Sequence, residues 1–125
     1  MEQLLAAGLG GALGGILRYQ ISGLMARLLG EAFPWGTLTV NITGSLLIGL
    51  LASLVIAGTL PGGSLAVLLM VGLCGSYTTV SSFSLQTLTL WQHGYKKTAS
   101  INVLISALTC LVAVTLGVLL GRLLT

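Results

Sequence analysis

The chain has 125 residues, 55% of them hydrophobic and only 6% charged, with a formal net charge of +3. A soluble domain is usually about 25% charged, so these residues cannot build a water-facing surface. With a mean hydropathy of +1.08, the chain reads as an all-α integral membrane protein, one transmembrane domain over residues 1–125. Arg18, Arg27, Lys96, Lys97 and Arg122 are scattered rather than clustered, so no nucleic-acid surface is expected, and Glu2 and Glu31 are the only acids.

Four hydrophobic segments follow in order. The first covers residues 4–29. Its start, "MEQLLAAGLGGALGGILRY", carries Glu2 and no leading cations, so it is expected to span rather than to be cleaved as a signal. Gly30 and Pro34 in "GEAFPWG" break it, and Trp35 suits an interfacial belt. The second covers residues 37–57, "TLTVNITGSLLIGLLASLVIA", and stops at the turn "GTLPGG". The third covers 64–91 and ends in "WQHGYKK"; the fourth covers 98–120. Crossing the hydrocarbon takes about 20 helical residues, so the third segment exceeds a straight span.

The middle of that third segment is "CGSYTTVSSFS", Cys74–Ser84, a run of hydroxyls in an apolar chain. Thr, Ser and Val are middling helix formers, and the hydroxyls compete for backbone hydrogen bonds. After Gly72 and Gly75, "SYTTVSS" is expected to unwind into a hinge between two half-helices. Unwound backbone at membrane depth is tolerated only inside protein or along a wet cavity. The stretch is therefore either a structural knot or an ion path, since broken helix ends present carbonyls and amides as ion ligands.

Glycines recur four apart at Gly10 and Gly14, Gly11 and Gly15, and Gly117 and Gly121, a pattern suited to close helix contact. Cys74 and Cys110 read as small buried hydrophobes, because neither has a second ligand at metal spacing.

Enzymatic acid–base chemistry needs a positioned titratable group. Here the two acids lie near segment ends, His93 sits in a polar loop, and Asp is absent. An intramembrane acid for proton coupling is missing too. Small four-helix drug exporters resemble the chain in outline but rely on a Glu in the first helix, where this chain has Arg18. An interior of one cation, amides and hydroxyls suits an anion or neutral solute. Arg18 either packs or snorkels, or adds positive potential near an anion mouth. Asn41 either bridges two helices or offers an N–H donor to a passing anion.

The patterns "GG..G..LRY", "GTLTVN" and "GLCGSYTTVSSFS" together resemble the Fluc (CrcB-type) fluoride channels of microbes, over all four segments. The resemblance implies four-helix subunits that form an antiparallel, dual-topology homodimer in the bacterial inner membrane. It implies two fluoride pores and a structural Na⁺ at the dimer centre, held by the backbone carbonyls of Gly75 and Thr78 from each subunit. It places Asn41, Ser81, Ser82 and Phe83 along the pore, with no organic cofactor and no enzyme activity. The family's other pore phenylalanine falls on Val80, a departure that removes one aromatic edge. Ser76 stands where a second glycine is usual, and Gln86 where an acid is frequent. Asn102, Ser106, and Thr109 or Cys110 share a face of the fourth segment, so Ser106 is placed on a possible polar track.

The expected function is passive fluoride efflux that lowers cytoplasmic fluoride. The alternatives are a proton-coupled small-molecule antiporter and a non-conducting assembly subunit. Lys and Arg near segment ends number three (Arg27, Lys96, Lys97) against one (Arg122), a bias small enough to permit mixed insertion in the lipid bilayer.

Overall fold

The computed structural model covers residues 1–125 and is all-helical. Four helical segments are long and apolar enough to cross a membrane: Glu2–Leu29, Trp35–Ile56, Ser64–Gln92 and Lys96–Leu123. The first two are single helices, α1 and α2. Gly30 ends α1 with φ of 80°, a left-handed conformation in which glycine carries no Cβ penalty. Pro34 then precedes α2, where its missing N–H costs nothing.

The third span is composite. It runs through α3 (Ser64–Ala66), a π-helical stretch (Val67–Cys74), α4 (Gly75–Tyr77) and α5 (Val80–Gln92). The fourth span is α6 (Lys96–Leu123). Thr78 and Thr79 lie between α4 and α5 with extended backbone, φ/ψ of −81°/158° and −151°/120°. Thr78 is the central residue of the Ser64–Gln92 span. The expected hinge over "SYTTVSS" is thus confined to two residues. Ser76 and Tyr77 stay helical in α4, and Ser81 and Ser82 are helical because Thr79 caps α5: the Ser82 N–H donates to Thr79 Oγ1 at 3.1 Å. No feature of the sequence announced the π-helical stretch.

Packing pairs α1 with the first half of the third span, and α2 with α6. Glycine makes both contacts close. A Cβ on Gly10 would strike the Leu68 carbonyl, and one on Gly14 the Leu73 carbonyl; from the other side, a Cβ on Gly72 would lie 2.7 Å from the Ala7 carbonyl. Gly117 abuts the Leu46 carbonyl and Gly121 the Ser53 side chain of α2. The pair Gly11 and Gly15 behaves differently from the expectation. A Cβ on Gly11 would meet only Ser76 Oγ, at 3.2 Å, and one on Gly15 would have open space, because Gly15 faces a groove rather than a helix.

Candidate functional site

Three residues of α2 within one turn, Asn41, Thr43 and Gly44, hold the two-residue break. Asn41 Nδ2 donates to the Thr79 carbonyl at 3.0 Å, and Asn41 Oδ1 accepts the Thr79 N–H at 2.7 Å. Thr43 Oγ1 lies 2.8 Å from the Tyr77 hydroxyl. Gly44 leaves the room that the Thr78 methyl Cγ2 occupies. The Asn41 side chain therefore satisfies both backbone groups of Thr79 that the interrupted helix cannot. In hydrocarbon each such group, left alone, would cost several kcal/mol.

The hydrogen bonds at the break redirect two backbone donors. In a continuous helix the Thr79 N–H would serve the Gly75 carbonyl, and the Ser82 N–H the Thr78 carbonyl. Here the first goes to Asn41 and the second to Thr79 Oγ1. The carbonyls of Gly75 and Thr78 thus both lose their regular partners, while Cys74 O receives both the N–H and the hydroxyl of Thr78, at 3.0 and 2.9 Å.

Two grooves meet at this point. One, of about 710 Å³, is lined by residues that include Arg18, Arg27, Gln20, Thr37, Thr79 and Ser82. It contains two guanidinium groups and no carboxylate, and Tyr19 is its one hydrophobic lining residue. A field of this sign draws anions and repels cations. The other groove, of about 320 Å³, is lined by Asn41, Ser45, Cys74, Gly75, Thr78, Val80 and Cys110 among others. Thr79 belongs to both, so the Asn41–Thr79 bonded pair stands between them.

The residues singled out from the sequence are distributed unevenly around this point. Asn41, Gly75, Thr78 and Val80 line the smaller groove; Arg18 and Ser82 line the larger. Ser81 Oγ lies 3.2 Å from Thr79 Oγ1 and is exposed. Val80 is 76% exposed. Phe83 is half-buried and lines neither groove. Ser106 is buried, and its hydroxyl donates to Asn102 Oδ1 at 3.3 Å. The Thr109 hydroxyl donates to the Ile105 carbonyl of its own helix at 2.6 Å. Cys74 and Cys110, distant in sequence, come to the same groove.

Thr79 is the residue that sequence reasoning passed over. It caps α5, bonds Asn41 through its backbone and touches both grooves. Its signal was a threonine three residues before Ser82 at the start of a helical run, the N-cap pattern. Gln86 also lines the larger groove, with its Oε1 buried and lacking a hydrogen-bond partner.

Comparison with known proteins gives a consistent result. "Fluoride-specific ion channel FluC" of Rhodospirillum rubrum is 52% identical over 114 residues, covering 86% of this chain and 85% of that protein. "Fluoride-specific ion channel FluC 2" of Bradyrhizobium diazoefficiens is 49% identical over 126 residues, covering 97% and 90%. "Fluoride-specific ion channel FluC" of Magnetococcus marinus is 45% identical over 121 residues, covering 97% and 98%. Residues 5–118 match the family described as "CrcB-like protein, Camphor Resistance (CrcB)", and the chain, a multi-pass membrane protein, belongs to that family.

Proposed function

We propose that this chain is the subunit of a fluoride-selective channel that lowers cytoplasmic fluoride by passive efflux across the cell inner membrane. The observation that carries the reading is the carboxylate-free groove of Arg18 and Arg27 that ends at Thr79 and Ser82, against the Asn41 amide. Relatives covering most of the chain are named as fluoride-specific ion channels, none as enzymes.

The mechanism follows from these residues. Arg18 and Arg27 raise the local anion concentration at the mouth. Past it, fluoride exchanges water for the hydroxyls of Ser82 and Ser81 and for the Asn41 amide N–H, groups that can re-aim between Thr79 and the ion. The Phe83 ring offers a weakly positive edge, and Val80 offers only methyl groups. No group on the route is a carboxylate that would repel the ion or carry a proton with it.

Two copies in antiparallel orientation would complete the channel. A structural Na⁺ fits the break: the Gly75 and Thr78 carbonyls both lose their i+4 donors, and hard oxygen atoms suit a hard cation. When bound, it would supply the positive charge that ties the two third spans together. Gly75 is exposed and Thr78 half-buried in the single subunit, as groups shared between copies must be.

Fluoride efflux from liposomes carrying the purified protein tests the reading. Rapid efflux that ignores an imposed pH gradient is expected. Dependence on that gradient would instead indicate proton-coupled antiport, and silence a non-conducting assembly subunit. Replacing Na⁺ by a large organic cation is expected to abolish efflux.

A further inference from the structure

The half-helix α5 has no fully buried residue, so apolar packing alone does not fix its rotation. A hydrogen-bonded chain does. The Ser106 hydroxyl donates to Asn102 Oδ1 at 3.3 Å, Asn102 Nδ2 donates to Thr87 Oγ1 at 2.9 Å, and the Thr87 hydroxyl donates to the Phe83 carbonyl at 2.7 Å. Asn102 is 2% exposed and Ser106 8%. Every step runs in one direction, from α6 into α5, and each group is already committed to a protein partner.

Phe83 and Thr87 are four residues apart, so they lie one above the other on the same face of α5. Whatever sets the approach of Thr87 to α6 also sets the approach of the ring. Because Val80 occupies the other aromatic position of α5, Phe83 is the one ring on the first turn of that half-helix, and the Tyr77 ring on the other side of the break is held by Thr43.

We propose that Asn102 is a positioning residue: through Thr87 it fixes the face of α5 that carries Phe83, and it does not itself contact the ion. The proposal rests on the channel reading for its flux consequence, but its structural content can be read separately.

Two measurements on the full-length protein in liposomes and detergent decide it. Fluoride efflux is compared for Asn102→Leu, Thr87→Val and the pair, each in wild-type and Phe83→Ala backgrounds. Membrane hydrogen bonds of this kind lead us to expect roughly a three- to fifteenfold loss for either single change. The pair should lose no more than one alone, and neither change should matter once Phe83 is gone. A full Asn102→Leu loss that persists in Phe83→Ala would overturn the proposal, as would a Thr87→Val variant with unaltered efflux. Should Asn102→Leu not assemble, Ser106→Ala and Thr87→Val carry the same comparison. Independently, ¹⁹F spectra of 4-fluorophenylalanine-labelled protein follow the ring, the Phe33 signal being assigned with Phe33→Leu. The Phe83 resonance is expected to move alike in Asn102→Leu and Thr87→Val. A stationary resonance refutes the positioning role whether or not the protein conducts fluoride.

Discussion

The side-chain amide of Asn41 binds both backbone groups of Thr79, accepting its N–H at 2.7 Å and donating to its carbonyl at 3.0 Å. One side chain thereby does what a neighbouring strand does for an extended residue. Thr79 is buried, so water cannot take over that role. Replacing Asn41 by Asp keeps the acceptor but turns the donor into an oxygen facing an oxygen. Losing one such bond costs about 1–3 kcal/mol, and a carboxylate would also repel fluoride. Asn41→Asp is expected to lower efflux at least about tenfold and to reduce the melting temperature. Efflux from liposomes and a thermal scan in detergent check both.

Gly44 provides a second test of how α2 carries the break. A Cβ there would collide with Thr78 Cγ2 and would lie 3.1 Å from Tyr77 Cδ1. Overpacking of this kind costs about 1–3 kcal/mol. Gly44→Ala is therefore expected to destabilise the protein and depress efflux. Adding Thr78→Ser deletes the obstructing methyl group while keeping the hydroxyl that bonds Cys74, and it should restore part of the loss. A double variant no better than Gly44→Ala would mean that the Tyr77 ring sets the limit.

Much of this arrangement was legible before the structure. Hydropathy located the four spans, because a bilayer imposes both length and composition on a helix. The density of hydroxyls after Gly72 and Gly75 located the interruption to within a few residues. Its extent was not legible, since Ser81 and Ser82 are middling helix formers, and the cap supplied by Thr79 sets where the helix resumes. Spacing does not decide between bridging and ion binding for Asn41; the fold shows its bonds to the Thr79 backbone, and its contact with an ion belongs to the proposed mechanism. Gly11 and Gly15 show the limit of spacing arguments. Their four-residue step matches that of Gly10 and Gly14, yet Gly11 only nears the Ser76 side chain and Gly15 faces no helix at all. The meeting of Cys74 and Cys110 depends on how α6 lies along α2, and residue spacing holds no record of that.

Arg18 is expected to act through its field rather than by contact. It lines the larger groove with Arg27, and Arg27 Nε is bonded to the Gly23 carbonyl of its own helix at 3.3 Å. Charges in such a mouth raise ion capture, and salt screens them over a Debye length of about 10 Å at 0.1 M. Arg18→Gln should reduce efflux several-fold at low ionic strength and much less at high. An effect that ignores ionic strength would instead assign Arg18 a packing role.

The remaining prediction concerns the one position where a ring is replaced by methyl groups. Val80 opens α5, is 76% exposed and lines the smaller groove with Asn41. Within one subunit a phenylalanine there meets no packed core, so Val80→Phe should change subunit stability by no more than about 0.5 kcal/mol, as surface substitutions usually do. A ring edge is weakly positive, and valine supplies no equivalent. If aromatic edges partner the ion, adding one interaction of about 0.5–1.5 kcal/mol should raise fluoride efflux roughly two- to tenfold. Efflux, melting temperature and assembly size, measured side by side, separate a gain in conduction from a gain in folded protein. Unchanged efflux at unchanged stability would mean that Phe83, held by Thr87 and Asn102, is sufficient alone. A fall in efflux would mean that the added ring narrows the groove at Asn41, and that valine is there for its size.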